Sequence, residues 1–159
     1  MRRFRRDGIA EELLAELLAA AALAPSVGLS QPWRFVLVED PARRAAVRAD
    51  FERMNAEALA SYDGAEAERY ARLKLAGLDE APVHLAVFAD RGTLQGRGLG
   101  RRTMPEMIEY SAVTAIHTIW LMARAHGVGL GWVSILDPAE IARILETPAD
   151  WRLEIGRAS

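Results

Sequence analysis

Pro25-Ser26-Val27-Gly28-Leu29-Ser30-Gln31-Pro32-Trp33 is the stretch on which the reading of this chain turns. Proline has no amide N–H and clashes with the helical turn before it, so Pro25 stops any helix that reaches it. Small residues follow. Trp33 then opens Trp33 to Val38, a run of aromatic and β-branched residues that reads as a strand. The stretch is a helix-to-strand connection that carries serine hydroxyls and one Gln amide. Such a loop can set backbone N–H groups and the amide against a planar heteroaromatic ring; taken alone, it is an ordinary connection.

Working outward, Asp7 and Gly8 open a helix expected to run to about Ala24, with Leu13, Leu14, Leu17 and Leu18 on one face. Downstream, Asp40 and Pro41 supply N-cap and first-turn chemistry, and Val47, Phe51, Met54 and Ala58 follow at helical spacing. A polar break at Asp63-Gly64 precedes a further helix, which Gly77 is expected to close. Val83 to Phe88 is nearly all apolar and reads as a buried strand, and Arg91 to Pro105 as a loop rich in glycine and arginine. Glu106 to His126 is expected to be the longest helix. It is apolar around Val113, Ile116, Ile119, Trp120 and Leu121, which places it inside the molecule or at a subunit interface. Gly127 ends it. Leu130 to Leu136 reads as a strand, Pro138 to Leu145 as a short helix capped by Asp137, and Trp151 to Ile155 as the start of a last strand. Helices around roughly four strands make an α+β arrangement in a single domain, 1–159.

The apolar share of 51% and charged share of 26% are those of a soluble globular protein. A net charge of -2 gives no overall attraction to nucleic acid or to anionic membrane, and neither is an expected partner. The basic clusters, Arg2 to Arg6 and Arg97 to Arg102, can meet a phosphate or simply be solvated surface. The absence of cysteine excludes disulfides, thiolate nucleophiles and Cys-based metal sites, and it fits a cytoplasmic location. No apolar run approaches the roughly 20 residues that span a bilayer. Glu11, Glu12 and Glu16 interrupt the N-terminal Leu/Ala stretch, which makes it an amphipathic helix rather than a signal peptide.

Several motifs fail on their context. Gly127-Val128-Gly129-Leu130-Gly131 leaves a helix and enters a strand, the reverse of a dinucleotide fingerprint, and Gly96 to Gly100 lacks the flanking elements of one. His84, His117 and His126 show no spacing that would converge on a metal, and no metal site is expected. Ser134, in Gly131-Trp132-Val133-Ser134-Ile135, is not a hydrolase elbow; in isolation it is a strand hydroxyl with a backbone partner.

Three blocks in order carry a resemblance. Ala24 to Gly28 with Gln31-Pro32-Trp33, then Leu73-Lys74-Leu75-Ala76-Gly77 with Ala81-Pro82, then Gly127 to Ile135, are similar to the nitroreductase-like flavoproteins. The Pro-Ser-x-x-x-x-Gln-Pro-Trp pattern is shared with many nitroreductases. The later blocks narrow the resemblance to the BluB family of 5,6-dimethylbenzimidazole synthases, over about Arg2 to Glu154. The resemblance implies a nitroreductase-like fold, with a mixed or antiparallel sheet flanked by helices, and a homodimer with FMN at the subunit interface. It implies an oxidoreductase in which reduced FMN is cofactor and substrate: the flavin reacts with O2 and is fragmented to the lower ligand of cobalamin, and a separate flavin reductase supplies it. Ser134 matches a serine implicated in the chemistry. Pro25, Ser26, Val27, Gly28, Gln31, Lys74, Leu75, Gly131, Trp132, Val133 and Ser134 would hold the cofactor, Lys74 as a fixed cation near the reduced ring. Met54 to Arg72 would be a lid that shields the oxygenated flavin from water.

Two departures from the family pattern accompany these matches. Arg5-Arg6-Asp7 imitates the family's Arg-Arg-Asp-Val-Arg phosphate grip, but the alignment puts the true motif before Met1. Similarity also ends near Glu154, where the family continues through a complete strand and an arm, so a chain shortened at both ends is expected. The alternatives are an NAD(P)H-dependent nitro- or flavin reductase, which the lid at Glu57 to Arg72 would crowd, and an inactive flavin-binding remnant.

Overall fold

The computed structural model describes residues 4–60, 64 and 77–158, with 155–158 described by their backbone alone. Three strands, β1 (Trp33–Leu37), β2 (His84–Asp90) and β3 (Trp151–Ala158), form one sheet in the order β1-β2-β3. Both pairings are antiparallel. Trp33 faces Ala89 and Leu37 faces Leu85 on one side; on the other, Asp90 faces Trp151 and His84 faces Ala158, with a register shift between Val87 and Phe88. Among the described residues the helices are α1 (Glu11–Ala21), α2 (Pro41–Ala60), α3 (Gly77–Glu80), α4 (Met107–Ala125) and α5 (Pro138–Ile144).

β2 lies at the centre and is buried along almost its whole length, which is why its sequence is nearly all apolar. Its side chains alternate between two cores. Leu85, Val87 and Ala89 pack with Leu17 and Ala21 of α1 and with Ala112, Ala115, Ile116 and Ile119 of α4. Ala86 and Phe88 turn the other way, toward Val47 of α2, Ile141 of α5, Val133 and Leu136. The sheet is thus covered on both faces, an α+β arrangement with an antiparallel sheet.

Two of the anticipated helix starts are present. The Asp40 carboxylate accepts the Ala42 N–H at 3.0 Å, and Asp137 accepts from the backbone N–H groups of Ala139 and Glu140. The start expected at Asp7 and Gly8 is not: α1 begins at Glu11 with Ala10 as its N-cap and no side-chain cap bond, and it ends at Ala21 rather than near Ala24.

Other expectations are corrected. Leu130 to Leu136 is not a strand; only Val133 makes an isolated bridge. Its inward side chains, Leu130, Val133 and Leu136, recur every third residue, whereas a pleated strand alternates every second. Among the described residues, three strands therefore stand where roughly four were expected. The last strand, read from its start at Trp151 to Ile155, continues paired with β2 as far as Ala158. Gly77 sits within α3 rather than beyond a helix end, and the helix it was to close lies outside the described residues. With 20 residues against 19, α2 is longer than α4. Arg48–Glu52 and Arg53–Glu57 pairs, four residues apart, support its solvated length, a feature that apolar periodicity does not register.

Candidate functional site: two interlocked loops

The 25–31 loop is tied to α4 by two hydrogen bonds. Thr114 Oγ1 donates to the Pro25 carbonyl at 2.9 Å, and the Val27 N–H donates to Ser111 Oγ at 3.0 Å. Within the loop, the Gln31 N–H donates to Ser26 Oγ at 3.0 Å, which leaves the Ser26 hydroxyl proton to give to another group. Leu29 and Gln31 both have positive φ, 57° and 42°. A left-handed backbone costs a non-glycine residue roughly 1–2 kcal/mol, and it persists only where the surroundings over-determine it. Arg34 is part of that restraint. Its guanidinium donates to the carbonyls of Gln31 (3.1 Å) and Trp33 (2.8 Å) and to Asp90 (2.7 Å), pinning the loop to the sheet.

The rest of the restraint comes from a second loop, built on a 3₁₀ turn at Gln95–Gly98. Gln95 Nε2 donates to the Leu29 carbonyl at 2.9 Å and to Gln31 Oε1 at 2.8 Å. A Cβ on Gly28 would lie 2.6 Å from the Leu99 carbonyl oxygen, and one on Gly96 would run into the Gly28 carbonyl. Glycine is required at both positions because the loops touch backbone to backbone. The glycines at 96, 98 and 100 are visible in the sequence, but their partner, the 25–31 loop, is not. The available signal was the glycine at every second position, a spacing that marks close backbone approach rather than a phosphate cradle.

A cleft of about 680 Å3 opens between the loops, lined by Gly28, Leu29, Gln95, Arg97, Leu99 and Arg102. Its walls include Leu29 and Leu99, 75% and 73% exposed. Arg97 and Arg102, from one of the two basic clusters in the sequence, are among its lining residues.

The 130–136 segment is positioned from behind. Leu130 is anchored in one core, and Val133 and Leu136 in the other. Asp50 of α2, 4% exposed, takes Arg53 at 2.5 Å and the Asp137 N–H at 2.8 Å, and so holds the end of the segment. Trp132 and Ser134 face outward. The structure thus gathers Pro25, Ser26, Val27, Gly28 and Gln31 in one braced loop, and Gly131, Trp132, Val133 and Ser134 on another segment. Among the described residues no hydrogen bond joins Ser134 to the loop. Lys74, Leu75 and most of the expected lid lie outside the described residues.

Each of the three histidines has its own surroundings. His84 is buried and its pKa is lowered to about 4, first by burial and then by the Arg44 charge. His117 stacks on Trp120 with ring centroids 5.9 Å apart, and His126 meets Glu16 at 3.3 Å.

A helix-covered antiparallel sheet presenting a restrained Pro-Ser loop defines the class, and the chain belongs to the nitroreductase family, whose model matches residues 1–156. Within that family it stands with the 5,6-dimethylbenzimidazole synthases. It is 58% identical to the one from Rhodospirillum rubrum over 151 residues, covering 95% of this chain and 72% of that protein. To one from Rhodobacter capsulatus it is 49% identical, covering 95% of this chain and 73% of the relative. Among solved structures, oxidized iodotyrosine deiodinase bound to FMN and 3-iodo-L-tyrosine superposes with a TM-score of 0.81 at 27% identity, over 99% of this chain and 81% of that one.

Proposed function

We propose that this chain is a 5,6-dimethylbenzimidazole synthase, which takes reduced FMN as its substrate and fragments it with O2. The observation that carries this reading is the 58% identity to a synthase over 95% of the chain.

The residues present fit the flavin. An isoalloxazine ring is flat and apolar on its faces and carries hydrogen-bonding atoms along one edge. The cleft between the loops offers apolar walls, Leu29 and Leu99, with the Ser26 hydroxyl and the Gln31 amide close by. Bound reduced flavin supplies the electrons for O2 and the carbon skeleton of the product. The protein's part is to hold and to shield. The 25–31 loop sets hydroxyl and amide donors at fixed positions, and its bracing removes their freedom before the ligand arrives. Ser134, outward-facing and anchored by Asp50 through Asp137, offers a hydroxyl that can hold or pass a proton. Lys74 and Leu75 complete the cofactor contacts in this reading, and the Lys74 cation offsets negative charge on the reduced ring.

A second copy of the chain completes the site. Tyr110, Val113, Trp120 and Leu121 of α4 are 56%, 36%, 39% and 52% exposed, a set of large apolar side chains on a helix whose other face is in the core. Such a surface marks an interface. A separate flavin reductase supplies the reduced substrate, and O2 is the co-substrate.

Incubating the chain with FMN, a flavin reductase, NADPH and air should yield 5,6-dimethylbenzimidazole, identified by chromatography. Ser134→Ala should lower product formation at saturating FMN by about tenfold or more, beyond any loss of FMN affinity. A protein that binds FMN yet forms no product would refute the assignment, and bleaching of bound flavin by NADPH alone would favour a nitroreductase instead.

A further inference from the structure

Gln95 belongs to no group of residues matched to the flavin, yet it touches the loop at its most constrained point. Gln31 has its backbone fully committed: φ is 42°, the N–H goes to Ser26 Oγ and the carbonyl to Arg34. Its side chain keeps the remaining freedom. A primary amide that turns by 180° exchanges a donor for an acceptor at the same place, so the direction of the Gln31 amide decides what the loop recognises. Gln95 removes that freedom by donating from Nε2 to Gln31 Oε1 at 2.8 Å while also holding the Leu29 carbonyl at 2.9 Å. With the oxygen so engaged, Gln31 Nε2 reaches the Ala22 carbonyl at 3.4 Å through one N–H and has a second to give. Gln95 itself has little room to drift, because its neighbour Gly96 is pressed against the Gly28 carbonyl.

We propose that Gln95 is a positioning residue that fixes the Gln31 amide with its NH2 group presented as a donor, selecting a ligand edge rich in hydrogen-bond acceptors. The identity of that ligand as FMN rests on the function proposed above; the orientation of the amide does not.

Three variants separate the possibilities. Gln95→Met keeps the side-chain length and removes both donors. Gln95→Glu offers only acceptors, so it draws the Gln31 nitrogen toward itself and turns the oxygen outward. Gln31→Glu still accepts from Gln95 but has no N–H to present. Three quantities are measured: FMN affinity by flavin fluorescence quenching, the side-chain amide NMR resonances of Gln31 in the ligand-free protein, and the melting temperature. Gln95→Met should weaken FMN about 3- to 10-fold, as expected for one lost hydrogen bond, and both glutamate variants should weaken it more. The two amide protons of Gln31 should be separate and sharp in the parent protein and exchange-broadened in Gln95→Met. Melting temperatures should agree within about 2 °C, less than a 1 kcal/mol loss produces in a domain of this size.

Unchanged affinity in Gln95→Glu, or a loss of affinity that tracks a falling melting temperature, overturns the proposal. Should the parent protein fail to bind FMN, the flavin reading falls, while the Gln31 resonances still decide whether Gln95 orients the amide.

Discussion

Glu154 shows how a single side chain can be set against its surroundings. Its pKa is raised to about 7, first by burial and then by the negative charge of Glu109, with Arg152 and Arg91 opposing. Glu109 takes the Arg91 Nε–H at 2.6 Å, and one oxygen of each glutamate is buried with no hydrogen-bond partner among the described residues. A carboxyl whose folded pKa exceeds its unfolded value favours folding in its protonated form. That contribution is complete below the ordinary pKa of 4.5 and is lost as pH rises through about 7. Glu154→Gln should therefore melt higher than the parent protein at about pH 8 and together with it near the ordinary carboxylate pKa, as read by thermal scans. His84 carries the opposite sign, since its stabilisation is present above 6.5 and lost as pH falls through about 4. Neither behaviour was legible in the sequence. His84 read correctly as a strand residue, but its burial, like the Glu109–Glu154 encounter, depends on packing between elements distant along the chain.

Helix caps were legible because their cause is local. Asp40-Pro41 and Asp137-Pro138 each place an acceptor one residue before a proline, and both begin helices. Asp137→Ala should cost about 1 kcal/mol, measured by denaturant unfolding, because two N–H groups at the start of α5 lose their acceptor. Gly96→Ala should cost more, about 1–3 kcal/mol, since φ of 74° disfavours a side chain and the new Cβ meets the Gly28 carbonyl. Gly96→Ala should also weaken FMN, whereas Asp137→Ala should leave the 25–31 loop unchanged. What the sequence did not disclose was any element defined by contacts from afar. The 130–136 segment has strand-like composition, but its anchors fall at every third residue and pass from one core to the other, and the two loops interlock across residues more than sixty positions apart.

For the molecule as a whole, the family and its α+β class were legible through ordered blocks of residues, and comparison with relatives bears this out. The exposed side of α4 was anticipated only as a choice between interior and interface. The structure buries Ile116 and Ile119 in the core and leaves Trp120 and Leu121 at the surface. Leu121→Glu, at 52% exposure, should leave the fold intact and shift the protein toward monomer in analytical ultracentrifugation, with weaker FMN binding as a consequence. An unchanged sedimentation coefficient would place the subunit contact elsewhere.

Because neighbouring residues of β2 serve opposite faces, Val87 one core and Phe88 the other, neither helical layer has a floor of its own. Heat cannot peel one away and leave the second standing, so the domain should come apart in a single cooperative step. Two tryptophans are placed to report on this from either side: Trp33 within one core and Trp151 against the other. The chain has four tryptophans, so each of these two is isolated by replacing the other three with phenylalanine, and both signals should follow the same transition as the far-ultraviolet signal of the helices.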